Sequence, residues 1–150
     1  MKRYMPLVMV ILLAAGVGCD SGPRSARGFR LPDGDVEKGK GTFVTLQCST
    51  CHKVAGVELP APQTKADVEV TLGGEARRVR TYGELVTSVI NPSHTLARGY
   101  PKEKISKDGE SRMTNFNDVM TVSQLVDLVA FLQSAYQIKV DDSMYYPYAY

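Results

Sequence analysis

Five consecutive residues, Cys48-Ser49-Thr50-Cys51-His52, carry the side chains best suited to chemistry. Two thiols three positions apart, followed at once by an imidazole, have the C-x-x-C-H spacing by which a c-type haem is attached. The thiols of Cys48 and Cys51 can reach the two vinyl groups on one porphyrin edge and bond to them as thioethers. The next residue is then held beneath the iron, so His52 supplies one axial nitrogen. Two other chemistries use C-x-x-C, a thioredoxin-like redox pair and half of a zinc site. Zinc asks for a second cysteine pair or a distant Cys/His pair, but the remaining thiol and imidazole are the isolated Cys19 and His94. A thioredoxin-like pair closes a strand and opens a helix, whereas this one follows a helical stretch. The reading preferred is one covalent haem c.

The chain has 150 residues, which suits one domain with tails. Lys2 and Arg3 precede an apolar run from Pro6 to Ala15, closed by Gly16-Val17-Gly18-Cys19. That run is shorter than the roughly 20 apolar residues of a membrane span. It resembles a bacterial lipoprotein signal over residues 1–18, which implies that Cys19 is lipidated and becomes the new N-terminus. Gly16 stands where such signals usually carry Leu, so a plain secretory signal or an uncleaved anchor is the alternative. Any of these sends the chain across a membrane, as c-type haem attachment in bacteria requires. Residues 19–32 read as a flexible tether, polar and without apolar periodicity. Its Arg24, Arg27 and Arg30 are read as solvated rather than as lipid contacts. Lys+Arg number 18 against Asp+Glu 16; without Lys2 and Arg3 the balance is 16 against 16. A mature chain of zero formal charge gives no reason to expect a nucleic-acid partner.

Around the motif the pattern is mainly helical. Asp35 has the character of an N-cap, and Val36, Gly39, Phe43 and Leu46 recur at helical spacing into Cys48. Val68–Leu72 alternates, Gly73-Gly74 signals a turn, and residues 75–81 alternate weakly, which predicts a small β-hairpin. Its Arg77, Arg78 and Arg80 are read as solvated strand charges. Thr81 is predicted to cap a helix over 82–90 that Asn91-Pro92 ends. Ser93–Lys107 reads as a long loop, and in it Arg98 and Tyr100 are candidate partners for haem propionates. Thr121-Val122-Ser123-Gln124 has the form of a capping box for a last helix to about Tyr136. Its stripe is Val122, Leu125, Val126, Val129 and Leu132, widened by Leu128 and Phe131. Residues 140–150 form a tyrosine-rich tail, read as a frayed terminus rather than an ordered strap.

The stretch Gly39–His52 is similar to the opening of class I c-type cytochromes, in which a glycine and an aromatic one turn later meet the C-terminal helix. The far end resembles them as well, through Met113, Asn115-Phe116, Met120-Thr121 and Ala130-Phe131-Leu132. Thr114 stands where the family often has proline, and the middle of the chain is not matched in detail. The resemblance implies a mostly α, cytochrome c-like haem domain over residues 33–139, with the hairpin as an insertion. It implies Met113 as the second axial ligand, with His94 as the lower-potential alternative and Met120 as a core residue. It also implies a proline carbonyl that accepts from the proximal histidine, Pro60 first and Pro62 second. The expected function is single-electron carriage between redox protein partners on the periplasmic side of a bacterial membrane, with a lipid anchor at the membrane surface and no bond chemistry of its own. The alternatives are a permanent haem subunit of a larger membrane oxidoreductase and a haem-based sensor of small ligands.

Overall fold

Asp35 begins the ordered architecture by satisfying the amides that every helix leaves open at its start. Its Oδ1 accepts from the amides of Glu37 (2.9 Å) and Lys38 (3.0 Å), and helix α1 follows over Val36–Thr45. The computed structural model describes residues 29–76 and 81–138. Residues 1–18, Cys19, most of the tether with Arg24 and Arg27, the arginines at 77, 78 and 80, and the chain from Lys139 lie outside the described residues. The chain divides into two units, Met1–Leu31 and Pro32–Tyr150. Of the first, residues 29–31 are described, without helix or strand. Every helix and strand of the described chain belongs to the second.

Strand β1 (His52–Val54) comes after α1, then β2 (Val70–Leu72) and β3 (Gly74–Ala76). Helix α2 spans Tyr82–Ile90, and α3 is a single turn, Lys102–Ile105. Strands β4 (Ser106–Lys107) and β5 (Glu110–Ser111) precede α4 (Val122–Ser134), which β6 (Tyr136–Ile138) follows. Helices α2 and α4 each open on a capping box. The Glu84 amide donates to Thr81 Oγ1 (3.2 Å) and the Thr81 amide to Glu84 Oε2 (3.0 Å). Gln124 and Thr121 make the same exchange at 3.2 and 2.8 Å. Two open donors are thereby closed at each helix start.

The core lies where α1 runs along α4, the most extensive helix pairing in the described chain. Gly39 makes the approach possible: a Cβ there would collide with the Asp127 carbonyl and lie 2.8 Å from Phe131 Cβ. One turn on, Phe43 (1 % exposed) meets Phe131 (2 % exposed) edge to face, with centroids 5.7 Å apart and planes at 68°. Such a pair adds about 1 kcal/mol beyond its area burial. The Asp35 amide donates to Asp127 Oδ1 at 2.8 Å, so the cap of α1 is also tied to α4. Helix α2 packs on α4 as well and buries Leu85, Val86 and Val89. Of the stripe expected on α4, Val126, Val129 and Leu132 are buried together with Leu128 and Phe131, but Val122 is 62 % exposed. Val122 is the first residue of the helix.

The mostly α class is as expected, and strands lie at both predicted places, but they do not form a hairpin. Strand β2 pairs in parallel with β1, placing Val70 opposite His52, and β3 pairs in parallel with β6, placing Gly74 opposite Tyr136. The cause is at Gly73-Gly74, both at positive φ (77° and 78°). In a two-residue hairpin both glycines would lie in the turn; here Gly74 already begins β3 and its amide donates to the Ala135 carbonyl at 2.8 Å. A Cβ on Gly73 would come 2.8 Å from that same oxygen. The glycine pair thus rests against the end of α4 and directs the two strands to different partners. A hairpin does exist further on, where β4 and β5 pair antiparallel. It turns through Asp108 (φ 53°) and Gly109 (φ 85°), the two positive values that a type I′ turn demands. The stretch expected as one long loop therefore holds α3 and the first strand of this hairpin.

Candidate functional site

The end of α1 builds the turn that carries the motif. Helix α1 stops at Thr45 rather than running into Cys48, because Gln47 is left-handed (φ 55°). The chain then tightens into a 3-10 turn over Cys48–Thr50, in which the Cys51 amide donates to the Cys48 carbonyl at 3.2 Å. Residues three apart in such a turn lie one above the other. Cys48 opens the turn and Cys51 closes it, near enough for the Cys51 charge to act on Cys48, and both are half-buried free thiols.

His52 begins β1, and the next layer of bonding fixes that strand. The Val70 amide donates to the Cys51 carbonyl (2.8 Å), the Ala55 amide to the Leu72 carbonyl (2.9 Å) and the Ala66 amide to the Thr50 carbonyl (3.1 Å). Strand β2 and the loop before it thus staple Thr50, Cys51 and His52 to one ladder. Tyr100 joins them, its hydroxyl accepting from the Thr71 amide at 3.4 Å, while Arg98 stays exposed.

The electrostatics separate the three chemistries open to C-x-x-C-H. Burial pushes the Cys48 thiol up to about 11; its own backbone pulls down and Cys51 adds to the rise. The thiol is thus un-ionised at neutral pH, unlike the activated thiolate of a dithiol redox pair. The motif also runs from helix to strand, the reverse of the thioredoxin-like order. Among the described residues no three of His, Cys, Asp and Glu converge as a metal site of protein ligands would require. Burial pushes His52 below its usual 6.5, with the Val70 backbone beside it pulling the other way. The imidazole is therefore neutral and has a lone pair to offer a metal. Two free thiols carried by one turn, beside a neutral imidazole, fit a porphyrin held by two thioethers and one nitrogen.

His52 Nδ1 is buried and has no hydrogen-bond partner among the described residues. The carbonyl of Pro60, expected to accept from it, does not do so, and neither does that of Pro62. Strand β2, paired with β1, sets the backbone of Val70 opposite His52. Alternating Val68–Leu72 signalled that strand, but nothing local in it named its partner.

The second group of expected residues is organised at the far end of α2. Met113 is half-buried, and its amide donates to Ser111 Oγ at 3.1 Å. The Ser111 amide donates in turn to Ser93 Oγ at 3.0 Å. His94, exposed, sits in the turn that its amide closes on the Asn91 carbonyl at 3.0 Å. The two candidate second ligands thus belong to segments hydrogen-bonded to one another. Met120 is half-buried, its amide donating to the Phe116 carbonyl at 2.8 Å.

A family model described as Cytochrome c matches residues 36–135, from the first residue of α1 to just past α4. Comparison with curated proteins gives no match, and comparison with solved structures gives none either.

Proposed function

The chain belongs to the cytochrome c family, and from that premise we propose that it is a membrane-tethered carrier of single electrons on the periplasmic side of a bacterial membrane. Covalent haem c is its cofactor, and Cys48 and Cys51 are the residues positioned to hold it. Bound there, the haem supplies an iron that alternates between two oxidation states. The chain's own part is to bind and to hold still. Cys48 and Cys51 would make attachment permanent, and His52 would hold the iron through a ring nitrogen, with the β1–β2 ladder fixing its backbone. Met113 would hold it too, through a soft, neutral sulfur that favours the reduced metal. Iron held by both would be closed to added substrates, which suits electron carriage rather than catalysis. Arg98 and Tyr100 serve the propionates, Tyr100 from its place beside β2.

The observation that carries this reading is the 3-10 turn that carries both thiols directly before His52. Lipid on Cys19 would confine the protein to a membrane surface and raise its effective concentration for redox protein partners there. The deciding experiment is the absorption spectrum of the oxidised and reduced protein, made with haem-attachment machinery, for the natural chain and for Met113→Ala. We expect a c-type reduced spectrum with a weak far-red band in the oxidised form, and loss of that band alone in the variant. A protein without covalent haem would end this reading. Retention of the band in Met113→Ala would remove Met113 from the site. Acyl labelling that survives Cys19→Ala would refute the anchor.

A further inference from the structure

The segment around Met113 is short of apolar anchors. Arg112, Thr114 and Asn115 are exposed, and Met113 is only half-buried. Burial therefore does little to fix where the sulfur sits, and hydrogen bonds must do it. They come from both sides and end on the same piece of chain. Before Met113, its amide donates to Ser111 Oγ (3.1 Å), and the Ser111 amide donates to Ser93 Oγ (3.0 Å). After it, Asn117 Nδ2 donates to the Ile90 carbonyl at 2.9 Å. An Asx turn, the Asn117 amide donating to Asn115 Oδ1 at 2.9 Å, stiffens the link between them. Ile90 ends α2 and Ser93 lies three residues on, so the Met113 segment is pinned at both ends to the C-terminal end of α2.

We propose that Ser93, Ser111 and Asn117 are positioning residues that clamp the Met113 segment and so set how readily an outside ligand displaces the Met113 sulfur. This rests on Met113 being the second axial ligand. Each serine hydroxyl accepts from a backbone amide, and the Ser93 and Asn117 bonds join residues far apart in sequence. An exchange between clamped and released segment is an equilibrium between two states. Removing one bond multiplies the released population by about fivefold. A ligand that binds only the released state gains apparent affinity by the same factor.

The test uses the oxidised holoprotein titrated with imidazole, which competes with the sulfur for the sixth position. The variants are Ser93→Ala, Ser111→Ala and Asn117→Ala, with Ser111→Thr as the conservative replacement. Each alanine variant should bind imidazole about fivefold more tightly while keeping its far-red band before imidazole is added, and Ser111→Thr should stay near the natural chain. Asp35→Ala, which removes the α1 cap and touches none of these bonds, should lower thermal stability without changing imidazole affinity. The clamp is overturned if the three alanine variants bind imidazole within about twofold of the natural chain. It is equally overturned if Asp35→Ala raises the affinity as much, since the effect would then be one of general stability. Met113→Ala separates the two levels. If its far-red band persists, the ligand assignment fails and takes the clamp with it. If the band is lost while the serine variants are silent, the clamp alone is refuted.

Discussion

Gly39 and Gly41 lie two residues apart in α1, and the same change at each should have opposite effects. A Cβ at Gly39 would collide with the Asp127 carbonyl and sit 2.8 Å from Phe131 Cβ, whereas a Cβ at Gly41 meets nothing within 4 Å. The obstacle at Gly39 is mostly backbone of α4, which cannot rotate away. The methyl group is accommodated only if α1 and α4 move apart, loosening the Phe43–Phe131 contact. Overpacking of this kind costs about 3 kcal/mol, and replacing a helical glycine by alanine returns about 1 kcal/mol. Gly39→Ala should therefore lose about 2 kcal/mol, while Gly41→Ala keeps the propensity gain of about 1 kcal/mol. At roughly 4–8 °C per kcal/mol for a domain of this size, their melting temperatures should differ by more than about 10 °C. The assay is thermal unfolding of the two holoproteins and the natural chain, followed by circular dichroism. Equal stability of the two variants would refute the reasoning, because the close helix crossing would then not depend on Gly39.

Other perturbations test separate parts of the structure. Thr121→Ala removes the acceptor for the Gln124 amide and should cost about 1 kcal/mol in urea unfolding. Gly73→Ala combines a positive φ with a Cβ 2.8 Å from the Ala135 carbonyl, whereas Gly56 has a similar φ (72°) but open space. Gly73→Ala should thus be clearly more destabilising than Gly56→Ala in side-by-side melts, and parity would remove the reason given for the split sheets. Asp35 is held below its usual 3.8, first by the Lys38 amide; desolvation, next in size, opposes it, and the Glu37 amide and the Lys38 charge add to the lowering. The unfolded chain therefore takes up this proton at higher pH than the folded one. The stabilisation is complete above about pH 4 and is lost as pH falls through the lowered value. An acid titration of stability should be shallower below about pH 4 in Asp35→Asn than in the natural chain.

The site was legible to the extent that its signals are local. C-x-x-C-H is contiguous, and both capping boxes and the Asp35 cap are satisfied within three residues, so pattern and bonding coincide. The Asp108-Gly109 turn was just as local and marks the antiparallel hairpin of the described chain; the loop reading missed it. The Gly73-Gly74 signal misled because glycine reports only that φ is positive, not whether the chain turns back or passes a neighbour. A proline in a loop does not by itself say which donor its carbonyl will meet, and His52 Nδ1 has no hydrogen-bond partner among the described residues.

Chemistry and periodicity are properties of neighbours along the chain. The amino-acid sequence by itself therefore determined the haem-binding pentapeptide, the helix starts and the glycine–aromatic pair that brings α1 to α4. Strand partners, the surroundings of His52 and the serine links behind Met113 depend on residues distant in the chain, as the Asp35–Asp127 bond does across 92 positions. Such contacts exist only after the helices have packed and closed the loops between them. For that reason only the tertiary structure decided that β2 pairs alongside His52 and that the end of α2 holds the Met113 segment.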